Sequence, residues 1–142
     1  PDLTPTISAR PSIAYGSTSV TVVVDVSELK SVATSGQIVV KVTKDPALNL
    51  NFNKNSTATG IHAFKNADWQ LSSADVNFYT LTTSQPVPAG GKLSFGLEGT
   101  LNPSGSAGKM AISVNIVGGS GGETKTTNNS SATTIDYFSV AY

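Results

Sequence analysis

The sequence predicts an all-β fold, an antiparallel β-sandwich or barrel, on three observations. Turn signals punctuate the second half at strand-length intervals: Pro88-Ala89-Gly90-Gly91, Asn102-Pro103-Ser104-Gly105, the glycine-rich run from Gly118 to Gly122, and Asn128-Asn129. Between these signals apolar residues recur every second position, as Leu93, Phe95 and Leu97 do against Lys92, Ser94, Gly96 and Glu98. No window sustains an apolar period of about 3.6 residues, so no helix is predicted.

Each element can be justified in turn. Pro1 to Pro5 reads as a linker entering an edge strand, because prolines cannot donate ladder hydrogen bonds, and Leu3 to Ala9 reads as the first strand. Gly16-Ser17 turns into a strand from Ser19 to Leu29. Val20, Val22, Val24 and Val26 share one face there, and the outward Val23 implies that the strand is central or covered on both sides. After Ser35-Gly36, Ile38, Val40 and Val42 point inward against Val39, Lys41 and Thr43. Past Asp45-Pro46, Leu48, Leu50 and Phe52 alternate with Asn49, Asn51 and Asn53.

Residues 53–60 read as a polar loop, and Ile61, Phe64, Trp69 and Leu71 mark short strands with a connecting loop. Val76 to Thr83 reads as a strand whose two faces are not distinguished. Leu93 to Leu101 and Met110 to Val117 read as a hairpin joined by residues 102–108, with Met110, Ile112, Val114 and Ile116 inward. Ala132 to Tyr142 supplies a final strand with Ile135 and Tyr137 inward. The expected total is about seven to nine strands in one domain over residues 1–142, with linker ends at 1–5 and 139–142. No internal repeat is visible.

Composition narrows the function classes. The chain has 142 residues, 38% hydrophobic and 13% charged, with zero formal net charge. A neutral balance argues against nucleic acid and against an anionic membrane surface, both of which favour a basic excess. The absence of cysteine removes disulfides, thiolate metal sites and a cysteine nucleophile. No stretch approaches the roughly 18 apolar residues that span a bilayer. Opening at Pro1 without Met or a signal peptide, the chain reads as an excised domain or mature segment.

Trp69-Gln70-Leu71, Phe78-Tyr79-Thr80-Leu81, Val87-Pro88-Ala89-Gly90-Gly91, Val117-Gly118-Gly119 and Glu123 with Asn128-Asn129-Ser130 together resemble tandem bacterial surface repeats. These are immunoglobulin-like repeats that close on an Asn-Asn signature, similar in style to the cell-adhesion-related (CARDB-like) domains. The opening Pro1-Asp2-Leu3 is similar to their start. The resemblance covers most of residues 66–135 and implies an immunoglobulin-like sandwich that acts as a spacer, stalk or adhesive module. Many members carry two cysteines around the tryptophan, which this chain lacks.

Chemical constellations are few. His62 is the only histidine, and a catalytic triad would pair it with Asp68 or Asp75, but no Gly-x-Ser-x-Gly elbow precedes a helix. The run around Ser120 lacks the Lys-Ser/Thr pair of a phosphate loop and reads as a hairpin loop. Asp2 at the entry and Glu123, Asn128 and Asn129 near the exit are candidate oxygen ligands for calcium at an interdomain junction, although no Asp-x-Asp-x-Asp-Gly loop is present. Lys41 and Asn115 are candidates for a Lys–Asn isopeptide bond, yet both point outward and such a bond needs a nearby acid. Trp69 and Tyr79, with Phe64 and Tyr15, are candidates for a glycan-stacking platform, although a lone tryptophan more often fills the core.

The sequence therefore predicts a non-enzymatic structural or adhesive repeat of a bacterial secreted or cell-surface protein, without cofactor or metal. Its expected partners are neighbouring domains. A carbohydrate-binding module, with Trp69 and Tyr79 stacking on polysaccharide, is the alternative.

Overall fold

Alternating valine, isoleucine and leucine give the chain two apolar inner faces, and burying one against the other sets the architecture. The computed structural model describes residues 1–60, 62–103 and 105–139. Among them are twelve strands: β1 (Leu3–Arg10), β2 (Ile13–Tyr15), β3 (Thr18–Glu28), β4 (Ile38–Thr43), β5 (Leu48–Asn51), β6 (Ala58–Thr59), β7 (His62–Ala63), β8 (Gln70–Ser72), β9 (Phe78–Thr83), β10 (Lys92–Leu101), β11 (Gly108–Ile116) and β12 (Ser130–Phe138). This exceeds the expected seven to nine. The excess comes from β2, β6, β7 and β8, segments of two or three residues that are too short to show alternation.

One sheet has the order β1-β3-β10-β5 and the other β2-β12-β11-β4-β9-β8. These orders match the A-B-E-D and G-F-C-C′ arrangement of an immunoglobulin-like sandwich. One departure stands out: β5, in the D position, precedes β8 and β9, in the C″ and C′ positions, along the chain. Leu3, Val22, Val24, Val26, Phe95, Leu97 and Leu101 from the first sheet pack against Ile38, Val40, Val42, Leu81, Ile112, Val114, Ile116 and Ile135 from the second.

Several expectations need correction. β10 and β11 do not form a hairpin: β10 pairs with β3 and β5, while β11 pairs with β4 and β12. Between Leu101 and Gly108 the chain therefore passes from one sheet to the other. Val76 lies outside any strand and is 84% exposed, so the strand starts only at Phe78 and turns Tyr79, Leu81 and Thr83 inward. Phe52 lies just beyond β5. Ile61 and the Val140–Tyr142 end of the last predicted strand lie outside the described residues.

The outward Val23 is covered, as its position implied. Among the described residues, 53–60 and 62–66 form a flap over the outer face of the first sheet, and the Phe64 ring sits on Gly96, which pairs with Val23. Asn66 fastens this flap from a fully buried position: its amide donates to the carbonyls of Asn53 (2.8 Å) and Gly96 (2.9 Å), and its side-chain oxygen accepts from the Gly96 N–H (2.8 Å).

The register also places the two ends of the chain. Leu3 pairs with Glu28 and Arg10 with Thr21, while Asn115 pairs with Ser130 and Gly108 with Tyr137. Thr4 bonds to Asn128 just ahead of β12 and Ile13–Tyr15 pairs parallel with Asp136–Phe138, so β1 and β12 run the same way, from an entry pole near Asp2 to an exit pole near Phe138. At about 3.3 Å per residue, the nine-residue β12 separates the poles by roughly 30 Å.

Candidate functional site

The polar residues that do converge lie at the entry pole. Asp2, Glu28, Glu123 and Asn129 are all buried there. A buried carboxylate is costly unless it is hydrogen-bonded, so its partners define its role. Glu28 accepts from the N–H groups of Asp2 (3.3 Å) and Lys30 (2.6 Å) on one oxygen, and of Val32 (3.1 Å) and Gly90 (2.8 Å) on the other. Burial acts to raise its pKa, but the donations from Gly90, Lys30, Asp2 and Val32 outweigh it and hold the carboxyl at about 2. One side chain thereby ties together the entry strand, the turn after β3 and the Pro88–Gly91 turn.

Glu123 ties the entry strand to the segment before β12. Its Oε2 accepts from the Leu3 N–H (3.2 Å), and its Oε1 accepts from Asn129 Nδ2 (2.5 Å). Asn129 Nδ2 also donates to the Ile116 carbonyl (3.1 Å). Asn128 Nδ2 donates to Asp2 Oδ1 (3.0 Å), Lys125 Nζ lies 3.9 Å from Asp2 Oδ2, and Thr4 donates its hydroxyl to the Asn128 carbonyl (2.9 Å). The four calcium candidates therefore do meet. Their carboxylate oxygens already accept from amides, backbone N–H groups and a lysine, so the carboxylates act as a hydrogen-bonded lock, while Asn128 Oδ1 and Asn129 Oδ1 are buried beside them without a partner. Among the described residues no group of three or more His, Cys, Asp or Glu side chains could hold a metal ion.

A second cluster surrounds His62 on the outer face of the first sheet. His62 Nε2 lies 3.0 Å from Asp25 Oδ2, and Arg10 Nη2 lies 3.4 Å from Nδ1. The pattern fits a neutral ring donating to Asp25 and accepting from Arg10. Ser94 donates its hydroxyl to Asp25 as well, and Lys92 lies 3.9 Å from it. Neither Asp68 nor Asp75 is the histidine's partner: Asp68 pairs with Lys65 at 3.7 Å, and Asp75 accepts from the N–H groups of Asn77 and Phe78. Serine and histidine both address the aspartate, whereas a nucleophile must address the histidine. The cluster holds the 53–66 flap, assisted by Ser56 donating to Glu98 (2.8 Å).

The glycan candidates need correction. Trp69 is completely buried, its ring meeting Phe95 edge-on at 4.9 Å, and Tyr79 is only 4% exposed. The Tyr79 hydroxyl accepts from the Leu50 N–H (2.9 Å), capping a backbone donor on the outer edge of β5. Both rings serve the core, where their large apolar area is removed from water. Phe64 lies under the flap, and Tyr15 stacks on Phe138 with centroids 5.1 Å apart. No platform for a sugar forms from these rings.

Lys41 and Asn115 are register partners on neighbouring strands, as an isopeptide bond would want. Yet Lys41 lies over the Phe78 ring, Asn115 accepts from Ser130, and the surrounding residues Thr43, Ser113, Ser131 and Ala132 include no acid. Ser120 serves the fold, accepting from the Val39 N–H (3.0 Å) in a turn where Gly121 packs on Thr34. Sequence reasoning missed Glu28, Asn66 and Asp25. An acid ending a valine strand is the one signal that pointed to Glu28.

No protein-family model matches the chain, and no curated protein matches it either. Among solved structures it is similar to domains D2 and D3 of the major pilin SpaD from Corynebacterium diphtheriae. The TM-score is 0.58 at 11% identity, over 94% of this chain and 50% of that one. Full-length SpaD from the same organism gives a TM-score of 0.61 at 12% identity, over 96% of this chain and 34% of that one. At this identity the likeness is one of fold. The chain spans half or less of these structures, and no family match supports the CARDB-like, Asn-Asn part of the resemblance.

Proposed function

We propose that this chain is a non-enzymatic structural module of a bacterial secreted or cell-surface protein, a single sandwich strung between neighbouring domains. The observation that carries this reading is the entry and exit of the chain at opposite poles, in a fold that 94% of this chain shares with half of the solved major-pilin structure. The polar clusters support the same reading, since each ties strands or loops together and none aligns a nucleophile with a base. No helix among the described residues is long and apolar enough to cross a membrane. Burial of Trp69 and Tyr79 leaves the polysaccharide alternative without its rings.

Protease shaving and surface biotinylation of intact cells of the encoding organism test the proposal. Labelling of this chain while a cytosolic marker stays unlabelled is the expected result. Recovery of the chain only from the cytosolic fraction would overturn it.

A further inference from the structure

We propose that the start of the chain, β1 and β2, and its last strand, β12, form a shear clamp through which the module carries tension between its poles. The inference rests on the reading of the chain as a module strung between neighbours. Its test is mechanical, however, and independent of where the protein resides.

The argument begins with the direction of load. A pull on Pro1 and Ser139 acts along β1 and β12, which run in the same direction between the poles. Hydrogen bonds in a sheet lie across the strands. A force along the strands therefore loads every bond of a ladder together, and they must fail as a group. A force applied across the strands at one end loads them one after another.

Two grips oppose the sliding of the chain's start past its end. At the entry pole the residues just inside Pro1 are tied to those just before β12: Leu3 to Glu123, Thr4 to Asn128, and Asp2 to Asn128 and Lys125. Tension arriving at Asp2 can thus pass directly into the backbone leading to β12. At the exit pole β2 is, among the described residues, the one strand paired parallel to its neighbour, with Ile13, Ala14 and Tyr15 opposite Asp136, Tyr137 and Phe138. The Asp136 N–H donates to Ser12 (2.9 Å) and the Gly16 N–H donates to Phe138 (2.7 Å), extending that ladder at both ends. The exposed rings of Tyr15 and Phe138 stack across it, which gives these apolar surface residues a purpose.

Forced rupture reads the unfolding barrier rather than equilibrium stability, so it depends on the direction of the pull. The chain is placed in a tandem of reference domains and stretched by its termini in a single-molecule instrument. It is then stretched between its C-terminus and a cysteine introduced by Ala107→Cys, which is unique because the chain has none. This second geometry peels β12 from β11, starting at the Gly108–Tyr137 pair.

The clamp predicts a terminal rupture force several times the peeling force. It further predicts that Thr4→Val with Asn128→Ala, or Tyr15→Ser with Phe138→Ser, lowers the terminal force far more than the peeling force. Equal forces in the two geometries for the unmodified chain would overturn the proposal, as would variants that lower both forces in equal proportion. If a variant fails to fold, the comparison of geometries in the unmodified chain decides alone.

Discussion

Glu28 shows how one side chain can set a pH dependence. Its carboxyl, held at about 2 by four backbone N–H groups, has an ordinary value of 4.5 when the chain is unfolded. A depressed folded-state pKa contributes stability that is fully present above the unfolded value and lost as pH falls through the folded one. Denaturant unfolding of the natural chain and of Glu28→Gln should therefore differ most at neutral pH, with the gap narrowing as pH falls from about 4.5 toward about 2. A gap that stays constant over that range would contradict the assignment. Trp69 makes the second residue-scale prediction. As a fully buried ring it should emit at blue-shifted wavelengths, resist soluble quenchers and ignore added polysaccharide. Quenching as efficient as that of a free indole would contradict its place in the core. The sequence left Trp69 open for a physical reason: the same apolar area that fills a core also stacks on a sugar. Glu28 was illegible as an acceptor because its four donors come from backbone, which carries no side-chain signature.

Strands whose inner face is buried against the other sheet were readable from alternation alone, as in β3, β4, β5 and β11. Alternation reports which residues face inward but not which sheet a strand joins. For that reason β10 and β11, neighbours in sequence with matching patterns, were mistaken for a hairpin. The 53–66 flap was illegible because polar contacts from Asn66, His62 and Ser56 hold it rather than an apolar period. Phe64, its apolar anchor among the described residues, needs bare backbone beneath it. A Cβ at position 96 would stand 2.6 Å from the Phe64 ring, so the ring must move to admit it. Gly96→Ala should destabilise the chain by about 1–3 kcal/mol in denaturant unfolding. It should also speed amide exchange in residues 62–66. Unchanged stability and exchange would show that the flap does not rest on Gly96.

Taken as a whole, the molecule is organised around its ends. The acceptors near the entry pole were visible in the sequence as Asp2, Glu123, Asn128 and Asn129, and they do converge. What the sequence could not show is that donors already satisfy the carboxylates, because that depends on backbone N–H groups and on which atom of each amide faces inward. The lock and the parallel β2–β12 ladder bind the start of the chain to its end at both poles. The central claim is that the chain enters at one pole and leaves at the other, and it can be tested by pulsed electron spin resonance between labels on Pro1→Cys and Ser139→Cys. The account predicts one narrow distance distribution beyond the roughly 30 Å length of a nine-residue strand. A short distance placing both ends at one pole, or a broad distribution without a dominant peak, would contradict it.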